Sequence, residues 1–280
     1  MKDKKRAAGI MLWICVIVLL FVAIIMTNTD SAKSETVSEV MKDAVLHEDN
    51  HISLFGIKEV NPALISAYVV TAFLLLFALV IRIFVIPRFK YVPGKLQMLL
   101  ESWVGFFDGL ASSNSPHRNG FLGLYVFAAG SYIFVGTLFE LLGIQVVSTK
   151  GISMALPAPL SDINAAIALG CLSYLIIMSG GIAGNGIKGV GLTLKDFSLP
   201  ISMSFRLFGA LLSGLLVTEL VYYYITLSFV LPVAVGVLFT LLHALIQTYV
   251  LTMLTALFYG EVSEPSEKKD KKLKRKKLAV

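Results

Sequence analysis

Long apolar runs separated by short polar stretches set the pattern of this chain. They fall at about 9–26, 64–86, 121–143, 163–183, 200–225 and 229–258, and each is close to or beyond the ~20 residues that cross a hydrocarbon core of about 30 Å. The pattern predicts an all-α polytopic membrane protein with about six transmembrane helices and both termini on one side. Between the second and third runs, PGKLQMLLESWVGFFDGL brings Leu96, Leu99, Leu100, Trp103, Phe107 and Leu110 to one helical face, with Gln97, Glu101 and Asp108 elsewhere. Its Pro-Gly start and its charges predict an amphipathic helix lying on the inner surface. A last helix of about 30 residues would measure about 45 Å, longer than the core it crosses. With a short connection near 225–229, segments five and six therefore read as a long, tilted antiparallel hairpin, to which Pro232 contributes a bend.

Composition removes the soluble alternatives. Of 280 residues, 56% are hydrophobic and 15% charged, and the mean hydropathy is +0.80, far from the globular average. The two cysteines, Cys15 and Cys171, both lie in apolar runs and imply no disulfide framework. The net charge of +6 is concentrated in MKDKKR at the start and EKKDKKLKRKKLAV at the end, which reads as topology rather than as a nucleic-acid surface. With the termini in the cytoplasm, 19 of the 24 lysines and arginines face inward, four face outward and Arg206 is embedded. That bias fixes the orientation of a multi-pass plasma membrane protein.

Four stretches follow. Residues 1–28 form a membrane helix, with a cleaved secretory signal as the alternative, although TNTDSAKS offers no clean small-x-small site. Residues 29–63 form an acidic outer segment, 64–260 the membrane domain, and 261–280 a basic cytoplasmic tail that is solvated rather than bound to anionic lipid. No Cys/His metal cluster, phosphate loop or dinucleotide fingerprint is present, so neither metal nor cofactor is expected.

The chemistry lies in charges placed inside apolar runs. In SMSFRLFGALLSG, Arg206 keeps its proton and costs roughly 2.5 to 3.5 kcal/mol at a bilayer centre. Snorkelling to the inner interface is the plain alternative. However, Ser202, Gly209, Ala210 and Ser213 share its face, a shallow stripe on which a partner carboxylate can reach the guanidinium. His243 and Gln247 lie one turn apart on the last helix, and pairing Gln247 with Arg206 across the hairpin puts His243 level with Ala210. Glu219 lies 13 residues beyond Arg206, about 20 Å toward the outside. Glu140 and Asp162 reach the same side, which predicts a wet outer vestibule, solvation at helix ends being the alternative.

PGKLQ, GTLFELLG, SDINAAIALG, LPISMSFRLFGALLSG and LLHALIQTYVLTMLTALFYG together resemble subunit a of the F-type ATP synthase. The resemblance implies a non-catalytic stator subunit with two offset proton half-channels. Its implied partners are a rotating ring of carboxylate-bearing c subunits, the peripheral-stalk b subunits and membrane lipid. It makes Arg206 the essential arginine and Gln247 the glutamine opposite it, and it matches Asp162 and Asn164 to a D-x-N pattern. Glu140 stands where the family commonly has asparagine. Ala210 replaces an asparagine, and Leu215 and Thr240 occupy the positions of a proton-handling pair, so His243 is expected to replace the polar group missing at Ala210. A Na⁺-translocating version of the same subunit remains an alternative. An ion-coupled secondary transporter lacks support because no internal repeat is visible. No nucleophile–base or metal-ligand constellation supports an embedded enzyme.

Overall fold

A computed structural model describes Val18 and residues 52–54, 57–117, 119–147, 153–223 and 231–264. The expected first membrane helix and the basic tail from residue 265 lie outside the described residues, Val18 apart. Seven α-helices occur among those described: α1 (Pro62–Val80), α2 (Lys95–Asn114), α3 (Asn119–Phe139), α4 (Ile163–Asn185), α5 (Ile187–Lys195), α6 (Ser198–Tyr223) and α7 (Leu231–Ser263). Four apolar helical stretches are long enough to cross a membrane, and the bent α5–α6 pair gives a fifth.

Each predicted boundary within the described residues lies within a few residues of the helix found, because a span stops where its apolar run stops. α1 starts with Pro62 behind the extended Asn61, whose side chain accepts from the Ala63 amide at 2.9 Å. Proline suits this first position because its missing N–H would have no helical partner. The helix leaves through a π-helical turn, Ile81–Val85, and a 3₁₀ turn, Ile86–Arg88. α2 is the amphipathic helix, running four residues past the expected end at Leu110, and it buries Phe107 and Ala111. The 26 residues of α6 and 33 of α7 correspond to about 39 and 50 Å, so the overlong hairpin is present. Pro232 falls in the first turn of α7 rather than in its body.

Small residues seal the bundle. A Cβ on Gly170 of α4 would run into Ser204 and the Pro200 carbonyl of α6, and one on Gly180 would enter the Tyr259 ring of α7. Packed around these seams, Leu122, Val126, Ile133, Ala166, Ile177, Met203, Leu207 and Leu251 form one core. At the end of the bundle where α7 finishes, His117 hydrogen-bonds Ser263 at 2.9 Å, and Asn185 donates to the carbonyls of Val262 and Glu264.

Three elements had no counterpart among the expectations. β1 (Ile52–Leu54) pairs with β2 (Ile57–Val60), and β3 (Gln145–Val147) with β4 (Ser153–Ala155), as two small antiparallel hairpins before α1 and between α3 and α4. α5 folds back on α4 after Gly186, whose φ of 63° suits glycine, and meets α6 at a bend of 51°.

Candidate functional site

The predicted pair meets. Arg206 on α6 and Gln247 on α7 line one cleft with Met203, Leu207, Val250, Leu251 and Leu254. Arg206 is exposed, whereas Gln247 is 6% exposed. The guanidinium thus stands at an open edge while the amide lies between the helices. Met203 and Leu207, both fully buried, lie on the adjoining face of α6 and hold it against the bundle. The apolar lining lowers the local dielectric and strengthens the field of the Arg206 guanidinium.

The stripe beside Arg206 is open. Ser202, Gly209 and Ser213 are exposed and Ala210 is half-buried, and among the described residues a Cβ on Gly209 would meet nothing within 4 Å. Ser213 Oγ donates to the Ala210 carbonyl at 2.8 Å, so this hydroxyl is satisfied on its own helix and presents little polarity outward.

His243 departs from its expected level. Its ring faces Gly214, where an added Cβ would lie 3.3 Å from Nδ1, and packs edge-on to Phe239 at 5.9 Å between centroids. This contact lies one turn beyond Ala210. The physical reason is the tilt of helical side chains toward their own N-terminus: on α7 that tilt carries the ring toward the end where α6 finishes. Glu219 is five residues past Gly214, an axial offset of about 7.5 Å, whereas from the level of Ala210, nine residues away, it would be about 14 Å. The Glu219 and Leu215 side chains lie outside the described residues, and Thr240 is buried.

The remaining acids occupy helix ends. Glu140 opens the 3₁₀ turn after α3 and is half-buried. Asp162 caps α4: its Oδ1 accepts from the Asn164 amide at 2.8 Å and from Asn164 Nδ2 at 3.1 Å. Its other oxygen, Oδ2, accepts from Asn61 Nδ2 at 2.5 Å. Asn61 was missed by the sequence reading, although an Asn-Pro pair opening an apolar run is a helix-start signature that would have marked it. Thr248, Thr252 and Thr255 were missed as well. They are buried along α7, and Thr252 and Thr255 donate to carbonyls one turn back. Among the described residues, no group of three or more His, Cys, Asp or Glu could hold a metal.

Long apolar helices around a sealed core, with one exposed guanidinium at a cleft between the last two, define a polytopic helical membrane protein. The family model described as ATP synthase A chain matches residues 64–260, and the chain belongs to that family. It is similar to the ATP synthase subunit a of Histophilus somni (strain 129Pt), with 26% identity over 196 residues, covering 60% of this chain and 73% of the relative. It is likewise similar to the ATP synthase subunit a of Actinobacillus pleuropneumoniae serotype 3 (strain JL03), with 26% identity over 221 residues, 67% of this chain and 83% of the relative. Membership makes it a membrane subunit of the ion-translocating sector of the ATP synthase, serving ion transport and ATP synthesis.

Proposed function

We propose that the chain is the proton-conducting stator of its complex, catalysing no chemistry itself and presenting α6 to a rotating ring of c subunits that each carry one membrane carboxylate. Peripheral-stalk b subunits hold it against rotation, and both termini face the cytoplasm. The observation that carries this reading is the exposed Arg206, flanked by Ser202, Gly209 and Ser213, at a cleft it shares with Gln247.

The mechanism follows from charge. A fixed cation beside a ring carboxylate favours its ionised form, so the proton is released before that carboxylate passes. Arginine suits the task because it does not lose its own proton. Small neighbours let the ring helix approach, and Gln247, held between the helices, offers an amide on the far side of the guanidinium. Protons reach the ring from the outer side past Glu140, Asp162, Asn164 and Glu219, with His243 between these and Arg206, and leave by a second, offset path to the cytoplasm. Arg206 separates the two and prevents a direct leak.

Arg206→Ala in membranes holding the assembled complex tests the reading. ATP-driven proton pumping and ATP synthesis disappear while subunit amount and assembly are retained. Normal coupled activity in that variant refutes the assignment, and recovery of the complex without a small hairpin subunit bearing a membrane carboxylate refutes the ring partner.

A further inference from the structure

At the outer end, two helix starts 101 residues apart are tied by one side chain. Asn61 uses both ends of its amide. Oδ1 accepts from the Ala63 amide and caps α1, while Nδ2 donates to Asp162 Oδ2. Capping α4 requires only Oδ1 of Asp162, which already takes both Asn164 donors. The second oxygen is therefore free of the cap, and its direction is set from α1. Asn61 cannot turn away without giving up its own cap, which leaves the Ala63 amide without that partner. Both residues are half-buried, with Ala63, Ala158 and Leu160 fully buried beside them in sequence, so the contact is held by packing as well.

We infer that Asn61 is a positioning residue for ion access: it aims the Asp162 carboxylate at the outer mouth. It lies just before the family-matched stretch, which begins at residue 64, so the family match assigns it no role. The inference rests on the reading that Asp162 belongs to the outer path. A carboxylate with one oxygen committed to the cap and the other held by a neutral amide keeps a fixed orientation, and among the described residues no cation pairs with it. It can then attract and pass a cation without swinging across the opening.

Coupled activity of the intact complex in inverted membrane vesicles, normalised to subunit amount, tests this through four variants. Asn61→Ser keeps an N-cap oxygen but loses the long amide donor, and ATP-driven pumping and ATP synthesis fall about threefold, the scale of one membrane interhelical hydrogen bond. Asn61→Asp sets two carboxylates face to face and loses more. Combining it with Asp162→Asn restores an amide–carboxylate contact between the same helices without returning a carboxylate to position 162, so subunit amount recovers to wild-type level while pumping stays as low as in Asp162→Asn, which separates the aim of the carboxylate from the contact alone. Wild-type activity in Asn61→Ser and Asn61→Asp, with Asp162→Asn impaired, overturns the role of Asn61 alone. Wild-type activity in Asp162→Asn overturns the access role of Asp162 and this inference with it, while leaving the Arg206 test untouched. A double variant that pumps at wild-type level overturns the inference, because the contact alone would then suffice.

Discussion

Two regions of α6 use small residues for opposite ends. Where α6 crosses α4, Ser204 is buried and Gly170 brings the α4 backbone against the Pro200 carbonyl. On the other side of the same helix, Ser202, Gly209 and Ser213 are exposed around Arg206, and among the described residues nothing lies within 4 Å of where a Gly209 Cβ would stand. In a membrane, where apolar burial gives helices no preference for one another over lipid, close backbone approach is a main source of association. A seam already closed within the chain has spent that capacity. An open stripe of similar residues still has it, which is why the stripe suits a partner supplied from outside.

Enlarging a glycine in each region separates them. Gly170→Leu forces a side chain into backbone and a buried serine, which costs at least about 1–3 kcal/mol by overpacking. Because the obstructing Pro200 carbonyl belongs to a helix that cannot step aside, the expected outcome is a subunit that is largely lost from membranes, checked by immunoblotting. Normal abundance would show that the α4–α6 seam is looser than its geometry.

Gly209→Leu meets open space instead. On the proposed reading, subunit amount and assembly stay at wild-type level, whereas proton pumping and ATP synthesis fall to near background because the proposed ring helix can no longer approach the guanidinium. Measuring abundance and coupling in the same vesicles makes the contrast sharp: the seam variant loses both together, the stripe variant only the second. Loss of abundance in Gly209→Leu would mean that this face is packed by something required for folding rather than by a moving partner.

The same contrast explains what sequence reasoning reached. Helix spans were legible because the bilayer demands an apolar run of set length, and α1, α3, α4 and the final hairpin follow it. Arg206 and Gln247 were legible as a pair because an antiparallel hairpin carries residues to matching levels. Features that depend on side-chain reach or on distant contacts were not. Asn61 and Asp162 are 101 residues apart, and no periodicity joins them. α5 is nine residues long, too short for its apolar pattern to stand out, and the two hairpins have strands of three or four residues.

His243 is the case in which backbone level and side-chain position part. Its level suggested a replacement for the polar group missing at Ala210, but the ring lies against Gly214, a turn nearer to Glu219. The polar group it supplies therefore lies a turn beyond Ala210 rather than in the turn beside Arg206. His243→Ala removes one hydrogen-bonding group without enlarging anything, so assembly is unaffected. Proton pumping is expected to fall about threefold, corresponding to ~0.6 kcal/mol for an average interhelical bond in a membrane, far less than the loss in Gly209→Leu. Undiminished pumping would remove His243 from the path altogether. A Gly214→Val variant provides the complementary reading: it displaces the ring without changing its chemistry, and it lowers pumping to a similar extent only if the position of the ring, and not merely its presence on α7, is what the path uses.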